Sequence, residues 1–364
     1  MASTPKSGSV SPLGATSRAT VPALGHAAVI GARPYLQQFI PTSTTTWWAV
    51  VSDRTGNDEW LVRTSDSGHH WTRRSPTPGQ ISPDVLNATT AWVTSLTGEK
   101  ALFRTTDGGQ NWQRLGHLPA ACDTQFIDRQ HGWCVHIGAA SGSESVTLWR
   151  TYSGGTAWTL ASRTPAGDEE GTPGALPFGC DKSVTFTSPT VGWAPFFCNG
   201  GTPDLYKTTD AGATWHPTTA PPLPPGISTN GGAGYSNLVA DGPHLAVVAS
   251  LPQRATAIDT SNDGGQHWTM HAVPNLQQEW GIQLLDPTRW RLTDSLNTVI
   301  QSTDDAGRHW RTQPLPKHSQ GAQSLTLTFL APRLAWWVPF DPNGGPIWWT
   351  TGGSVWRPVT IDLD

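Results

Sequence analysis

Short apolar runs alternate with polar, glycine- and proline-rich turns along most of the 364-residue chain. Examples of such runs are WLVR (60–63), ALFR (101–104), TLWR (147–150) and DLYK (204–207). Runs of this length, bounded by turn-forming residues, are typical of β-strands. The 38 glycines and 31 prolines interrupt almost every window in which a long helix could form. The pattern therefore predicts an all-β protein.

One eight-residue pattern recurs along the chain: Ser or Thr, any residue, Asp, any residue, Gly, any two residues, and Trp. Complete copies span 64–71, 105–112, 208–215, 261–268 and 303–310. Two further copies are degenerate, since 151–158 has Ser153 and 349–356 has Thr351 in the place of Asp. A repeat at this spacing must be recognised first, because it decides the fold.

A second signature precedes each closing tryptophan by 20 to 25 residues. This signature consists of a small residue and a tryptophan that open an apolar run. The tryptophans are Trp47, Trp92, Trp133, Trp193, Trp290 and Trp336. In the fifth repeat Leu245 takes the place of the tryptophan. Most of them follow an apolar partner by about seven residues; the partners are Ile40, Val85, Phe126, Phe186, Leu238 and Phe329. Two signatures that stay in phase over seven copies indicate a repeat architecture.

Each repeat predicts four strands, with the eight-residue pattern forming the tight turn between the third and the fourth. One such sheet cannot bury both of its faces, but seven sheets arranged radially can. We therefore predict a seven-bladed β-propeller of four-stranded antiparallel blades over residues 25–364. Residues 1–24 are rich in Ser, Thr, Ala, Gly and Pro and are expected to form a flexible leader or an expression remnant.

The repeats resemble the BNR, or Asp-box, repeats of sialidases, sortilin-type receptors, some xyloglucan hydrolases and the photosystem II assembly and stability factors. Seven copies with a tryptophan-led strand before each Asp box look most like the last group and its bacterial relatives. The resemblance covers about residues 35–360 and implies the propeller fold. It is much less specific for activity, because one fold hosts many functions.

The aspartates of the complete boxes are expected to form turns rather than to catalyse a reaction or bind a ligand. Each carboxylate can accept hydrogen bonds from N–H groups of its own turn, and the glycine tolerates a positive φ. These aspartates are Asp66, Asp107, Asp210, Asp263 and Asp305.

The resemblance to Asp-box enzymes implies a functional site on the face opposite the boxes, where the other links run. The long links on that face are 136–145, 163–179, 195–204 and 217–235, in repeats three to five. Long loops in compact domains are usually functional or disordered. The candidate ligand-binding residues are Asp168, Glu169, Glu170, Phe196, Phe197, Asn199, Asn230 and Tyr235. The alternatives are a solvated acidic loop tip, phenylalanines that cap the core, and a stiff Pro/Gly spacer.

The four cysteines, Cys122, Cys134, Cys180 and Cys198, include no CxxC pair, so a metal site is not expected. Four cysteines allow three disulfide connectivities. The repeat favours Cys122–Cys134 and Cys180–Cys198, each closing one hairpin, and such disulfides indicate an oxidising compartment. Four reduced, buried thiols are the alternative.

A basic residue precedes the box in the first four repeats: Arg63, Arg104, Arg150 and Lys207. These cations either form a one-sided patch for an acidic partner or pair locally with carboxylates and tryptophans.

Composition excludes several classes of function. Charged residues make up 14% of the chain and the net charge is −4, so no nucleic-acid partner is expected. No run of 18 apolar residues predicts a transmembrane helix. No phosphate-binding loop, nucleophile elbow or zinc-binding HExxH pattern is present, so no cofactor is expected.

Three functional hypotheses remain. A glycoside hydrolase or sialidase-like enzyme needs two carboxylates across the sugar, and no spacing among the loop acids selects a pair. ARPY (32–35) lacks the isoleucine of the sialidase Arg-Ile-Pro type of motif. We therefore favour a monomeric, extracytoplasmic propeller that binds a protein or glycan without chemistry. The ectodomain of an anchored sensor is a third interpretation.

Overall fold

The computed structural model describes residues 35–53, 58–97, 100–138, 144–165, 170–198, 204–222, 233–251, 255–273, 282–293, 299–315, 325–339 and 346–361. Their strands follow one another in groups of four, which we call units. The first unit contains β1 (Tyr35–Pro41), β2 (Trp47–Ser52), β3 (Glu59–Thr64) and β4 (Thr72–Arg73). The second contains β5 (Ile81–Val85), β6 (Ala91–Ser95), β7 (Ala101–Thr105) and β8 (Gln113–His117). The third contains β9 (Asp123–Phe126), β10 (Gly132–Ile137), β11 (Val146–Thr151) and β12 (Thr159–Arg163).

The later units repeat this order, with one interruption. The first strand of the fourth unit is split into β13 (Asp181–Lys182) and β14 (Thr185–Phe186), followed by β15 (Gly192–Cys198), β16 (Leu205–Thr208) and β17 (His216–Pro217). The fifth unit contains β18 (Ala233–Asp241), β19 (His244–Leu251), β20 (Ala255–Ser261) and β21 (Thr269–Ala272). The sixth contains β22 (Ile282–Leu284), β23 (Trp290–Thr293), β24 (Val299–Thr303) and β25 (Arg311–Pro314). The seventh contains β26 (Leu325–Ala331), β27 (Leu334–Pro339), β28 (Ile347–Thr350) and β29 (Arg357–Val359).

All described strand pairs are antiparallel, and neighbours in sequence are neighbours in each sheet. Five units are separate four-stranded sheets, whereas the fourth and fifth are joined into one sheet. The joint is short: Phe197 and Cys198 at the end of β15 pair with Gly234 and Ala233 at the start of β18. The all-β, antiparallel fold predicted from the sequence is confirmed. The number of blades stays a prediction, since two units share hydrogen bonds.

Two faces follow from this strand order. The box turns join the third strand of a unit to the fourth, so they lie on the same side as the turns from first to second strand. We call this side the box face. The links from second to third strand, and from one unit to the next, lie on the opposite side, which we call the link face.

The core consists of seven hydrophobic clusters among the described residues, each mostly between consecutive units. One of these clusters packs the first unit against the seventh. In it the centre of the Trp336 ring lies 5.7 Å from that of the Trp47 ring and 6.3 Å from that of the Phe39 ring. Side chains of consecutive sheets thus pack in a ring that closes on itself, as in a propeller. Among the described residues no helix is long and apolar enough to cross a membrane.

The strand pairing corrects the phase of the second signature in three repeats. Gly132 of β10 pairs with Thr151, the first residue of its box. Trp47 pairs in the same way with Thr64, and Trp290 with Thr303, so both occupy the place of the small residue. Leu245 likewise pairs with Ser261 of its box. The residues equivalent to the signature tryptophan are therefore Trp48, Arg291 and Ala246.

Candidate functional site

The first box shows how the eight-residue pattern closes its turn. The Thr64 hydroxyl donates to Asp66 Oδ1 at 2.7 Å and accepts from the Gly68 N–H at 3.0 Å. Asp66 Oδ1 also accepts from the His70 N–H at 3.0 Å, and Oδ2 lies 2.5 Å from His70 Nδ1. The Trp71 indole N–H donates to the Gly68 carbonyl at 3.1 Å. The Thr64, Asp66 and Trp71 side chains thus form hydrogen bonds within their own turn, while the Ser67 hydroxyl donates to the Thr44 carbonyl at 3.2 Å.

The other complete boxes repeat the hydroxyl–carboxylate part of this geometry, whereas the indole N–H groups of Trp112 and Trp268 donate outside their turns, to the Arg74 and Thr219 carbonyls. A Ser or Thr hydroxyl donates to the aspartate at 2.7 to 2.9 Å in each, and the aspartate accepts an N–H four residues on at 2.9 Å. These hydrogen bonds hold the pKa of the box aspartates below the ordinary value, to about 2 at Asp305. In the degenerate third box, Ser153 Oγ accepts the Ala157 N–H at 3.0 Å in place of the carboxylate. We infer that the box aspartates form turns.

The basic residues before the boxes make local contacts. Arg63 Nε donates to the Ala88 carbonyl of the second unit at 3.1 Å, and Arg150 donates to the Asp210 carbonyl of the fourth at 2.7 Å. The Lys207 ammonium lies 4.8 Å from the centre of the Trp193 ring. These contacts favour the local role over a patch for an acidic partner.

Both expected disulfides are present, Cys122–Cys134 and Cys180–Cys198. Each joins the start of a unit's first strand to the second strand. They therefore fix strand ends on the link face of the third and fourth units.

Lys182 binds three segments of the same rim together. Its ammonium donates to the main-chain carbonyls of Glu144 at 2.8 Å and Cys180 at 3.0 Å, and also to that of Gly179. It lies 4.8 Å from the centre of the Phe196 ring. Burial lowers the pKa of Lys182 to about 8, although Glu144 and Asp181 oppose this shift. The side chain thus couples a link of the third unit to the first strand of the fourth.

The predicted rim residues fall into three groups. Phe196 and Tyr235 are only 2% and 3% exposed, so they lie in the core rather than on an open rim. The Tyr235 hydroxyl donates to the Pro221 carbonyl at 2.6 Å, and burial, with Asp259 and Asp204 nearby, raises the pKa of this phenol. Phe197 is partly exposed, and Glu170 is exposed. Asp168, Glu169, Asn199 and Asn230 lie outside the described residues, as does the expected leader.

Exposed apolar side chains also lie on the link face. Leu96 follows β6, Ile137 ends β10, and Phe178 stands just before the first strand of the fourth unit; their exposures are 49%, 38% and 53%. Sequence reasoning did not select them, because isolated apolar residues at strand ends carry no distinctive pattern. Leu330 and Val355 are similarly exposed on the box face of the seventh unit.

Two partly or fully buried aspartates were also missed. Asp84 Oδ2 accepts the Phe126 N–H of the next unit at 2.7 Å. Asp259 is fully buried in β20, and neither of its oxygens has a hydrogen-bond partner. Burial raises the pKa of each to about 7.

At the position of Asp84, two other units carry glutamine. Gln125 accepts the Phe186 N–H at 3.0 Å and donates to the Phe186 carbonyl at 3.3 Å. Gln283 makes the same two bonds with Phe329, at 2.8 and 3.0 Å. We call this two-bond contact between consecutive first strands the carboxamide bridge. The repeated polar residue before the apolar partner is the sequence signal that could have revealed it.

The described residues hold no group of three or more His, Cys, Asp or Glu side chains that could bind a metal ion. No protein-family model matches the chain. No curated protein matches it either.

Solved structures similar to this chain include YCF48 from Cyanidioschyzon merolae, with 14% identity, a TM-score of 0.52, and coverage of 90% of this chain and 97% of that one. A prolyl endopeptidase structure matches with 10% identity and a TM-score of 0.55, over 90% of this chain and 49% of that one. The structure of YCF48 bound to D1 peptide has 14% identity and a TM-score of 0.49, over 90% and 94% of the two chains. At these identities the two structures with TM-scores above 0.5 show the fold alone, and the chain is a β-propeller.

Proposed function

We propose that this chain is a non-enzymatic, extracytoplasmic β-propeller of seven Asp-box blades that binds a protein or glycan partner through its link face. The observation that carries the proposal is the cross-linking of strand ends on the link face of units three to five. Two disulfides and the pairing of β15 with β18 hold these ends where the four long links leave the sheets. A rigid frame that presents loops is the usual arrangement of a binding face.

Two further features support this proposal. The disulfides favour an oxidising compartment. Ile137 and Phe178 offer apolar contact area beside the same links. The box face is occupied by turns whose polar groups already bond one another, which leaves the link face as the better surface for a partner.

Binding to glycan and protein arrays tests the proposal with matched variants. Ile137→Glu and Phe178→Glu place charge on the link face, and Leu330→Glu and Val355→Glu do so on the box face. We expect the link-face variants to lose the strongest array signal by tenfold or more and the box-face variants to keep it. The reverse pattern would contradict the proposal.

The hydrolase hypothesis is tested separately with chromogenic glycosides. Turnover that Glu170→Gln abolishes would show that the link face carries catalysis and would replace a pure binding role. Glu170 is suited to this test because it is exposed and belongs to the long link 163–179.

A further inference from the structure

A cleft opens between the first strands of the fourth, fifth and sixth units. It encloses about 330 Å³, and its walls include Ser183, Asn237, Val239 and Leu284. The first strands are irregular here: β13 and β14 are separated at Ser183, and β18 has a bulge at Asn237, whose φ is +49°. Bulges and left-handed residues outside glycine cluster at functional sites.

The cleft coincides with a place where the carboxamide bridge is missing. Leu284 holds the same position in the sixth unit as Phe186 holds in the fourth. Leu284 pairs with Trp290 of β23, and Phe186 pairs with Gly192 of β15. Trp290 and Gly192 each pair in turn with the first residue of the box in their unit. The main-chain N–H and carbonyl of Leu284 therefore point towards the preceding unit, like those of Phe186.

Among the described residues of the preceding unit, no side chain bonds them. Ala240 pairs with Leu245, so Val239 stands where Gln125 and Gln283 stand in their units. Valine can neither donate nor accept. Thr185, at the same position in the fourth unit, already accepts a hydrogen bond from Gln125 Nε2 at 3.3 Å.

From this arrangement we infer that the cleft is a binding site for a primary carboxamide, such as a glutamine or asparagine side chain of a partner peptide. The Leu284 N–H would donate to the amide oxygen and the Leu284 carbonyl would accept from the amide nitrogen, as observed between Phe186 and Gln125. Asn237 and Ser183 have exposed side chains on the cleft wall and supply further polar contacts.

A carboxylate suits the cleft less well, because it cannot donate to the Leu284 carbonyl. The described lining includes no charged side chain that would attract one. The cleft opens between first strands rather than among the long links, so the inference is independent of the proposed function.

The test uses full-length protein labelled with [15N]leucine, titrated with the tripeptide Gly-Gln-Gly and, as control, Gly-Glu-Gly. The Leu284 amide resonance is assigned by its loss in Leu284→Ile. We expect that resonance to shift saturably with the glutamine peptide and at least tenfold less with the glutamate peptide at equal concentration. An unmoved Leu284 resonance, or equal shifts with both peptides, would overturn the inference; the second result would mean that main-chain amides are the ligand.

Val239→Gln supplies an internal carboxamide at the cleft and should reduce the affinity for Gly-Gln-Gly at least tenfold. Val239→Leu adds bulk without an amide and serves as the matched control. If Val239→Gln does not fold, Asn237→Ala replaces it, with a smaller loss of affinity expected. Undiminished binding in the folded variant would count against the site.

Discussion

At the scale of single residues, the bridge between first strands is made by an acid in one place and by an amide in two. Asp84 accepts the Phe126 N–H as Gln125 accepts that of Phe186. A carboxyl group matches the amide in both bonds only when it is protonated, because the protonated form has an O–H donor. The raised pKa of Asp84, about 7, favours that form in the folded protein.

Asp84→Asn is expected to remove a pH dependence from the stability. The ordinary carboxyl pKa is 3.8 and that of folded Asp84 is about 7, so the folded protein binds the extra proton between these values. The free energy of unfolding therefore falls as the pH rises through this window, by about 1.4 kcal/mol per pH unit. In urea unfolding from pH 4 to pH 8, the free energy of unfolding of the variant should rise relative to that of the parent protein by this amount per pH unit within the window. A difference that stays constant with pH would refute the assignment.

Asp259 is a buried carboxyl without the compensating bond. Its pKa is also about 7, so it is protonated near pH 5 and ionised above pH 8, where the buried charge is most unfavourable. Val62 holds the same place in the first unit, two residues before its box. Asp259→Val should therefore raise the free energy of unfolding at pH 8 by about 1 to 3 kcal/mol. The gain should shrink at pH 5, and chemical unfolding at both pH values measures it.

The sequence could predict those residues whose partners lie within the same turn. The box aspartates follow from spacing, since each bonds groups at most four residues away. Asp84 was missed because its partner, Phe126, belongs to the next unit, more than 40 residues away. Asp259 was missed because the sequence does not show that its side chain is buried. Phe196 and Tyr235 were expected on an exposed rim, whereas both are buried. The sequence does not show which way a side chain points near the end of a strand.

At the scale of the element, the box turn tolerates another side chain in the place of the aspartate, provided that this side chain keeps one hydrogen-bond acceptor. Ser153 serves the third box, accepting the Ala157 N–H that an aspartate accepts elsewhere. This substitution already present in the chain indicates that the acceptor, rather than the negative charge, is what the turn requires.

Asp210→Ala is therefore expected to destabilise the fourth unit by about 1 kcal/mol, because the Thr214 N–H and hydroxyl lose their acceptor. Asp210→Ser should recover at least half of that loss. Thermal unfolding followed by tryptophan fluorescence compares the two variants. Since the pKa of Asp210 is lowered in the fold, its contribution is present at neutral pH and is lost as the pH falls below about 4. Equal destabilisation by Ala and Ser would mean that charge is essential.

Strand register explains why the second signature was out of phase in some units. Two adjacent tryptophans in the first unit, and a tryptophan followed by arginine in the sixth, both fit a Trp-led strand. Pairing with the box shows that Arg291 replaces the signature tryptophan, and its guanidinium lies 5.6 Å from the centre of the Phe329 ring. Trp133 stacks on Phe186 in the same place, with 3.6 Å between ring centres. A cation on an aromatic face thus substitutes for a stacked pair.

At the scale of the whole molecule, closure of the ring depends on side chains. In the described part of the chain, β1 to β4 all come from the first unit and β26 to β29 all from the last, so no strand is exchanged between them. Repeat architecture was predictable from sequence because the same signatures recur, but the means of closure was not, since it joins the two ends of the chain.

Trp336 is fully buried where the first and seventh units meet, and Trp133 is equally buried between the third and fourth. Replacing either by alanine should cost about 3 to 5 kcal/mol, because each leaves a large cavity. The third and fourth units stay joined by their peptide link and by the hydrogen bond from Lys182 to the Glu144 carbonyl, whereas no covalent link among the described residues joins the first unit to the seventh. Hydrogen exchange should therefore show Trp336→Ala opening β1, β2, β26 and β27 together, while Trp133→Ala loses protection only in its two units. If both variants lose protection evenly around the molecule, the ring unfolds as one cooperative body and closure is no weaker than any other contact between units.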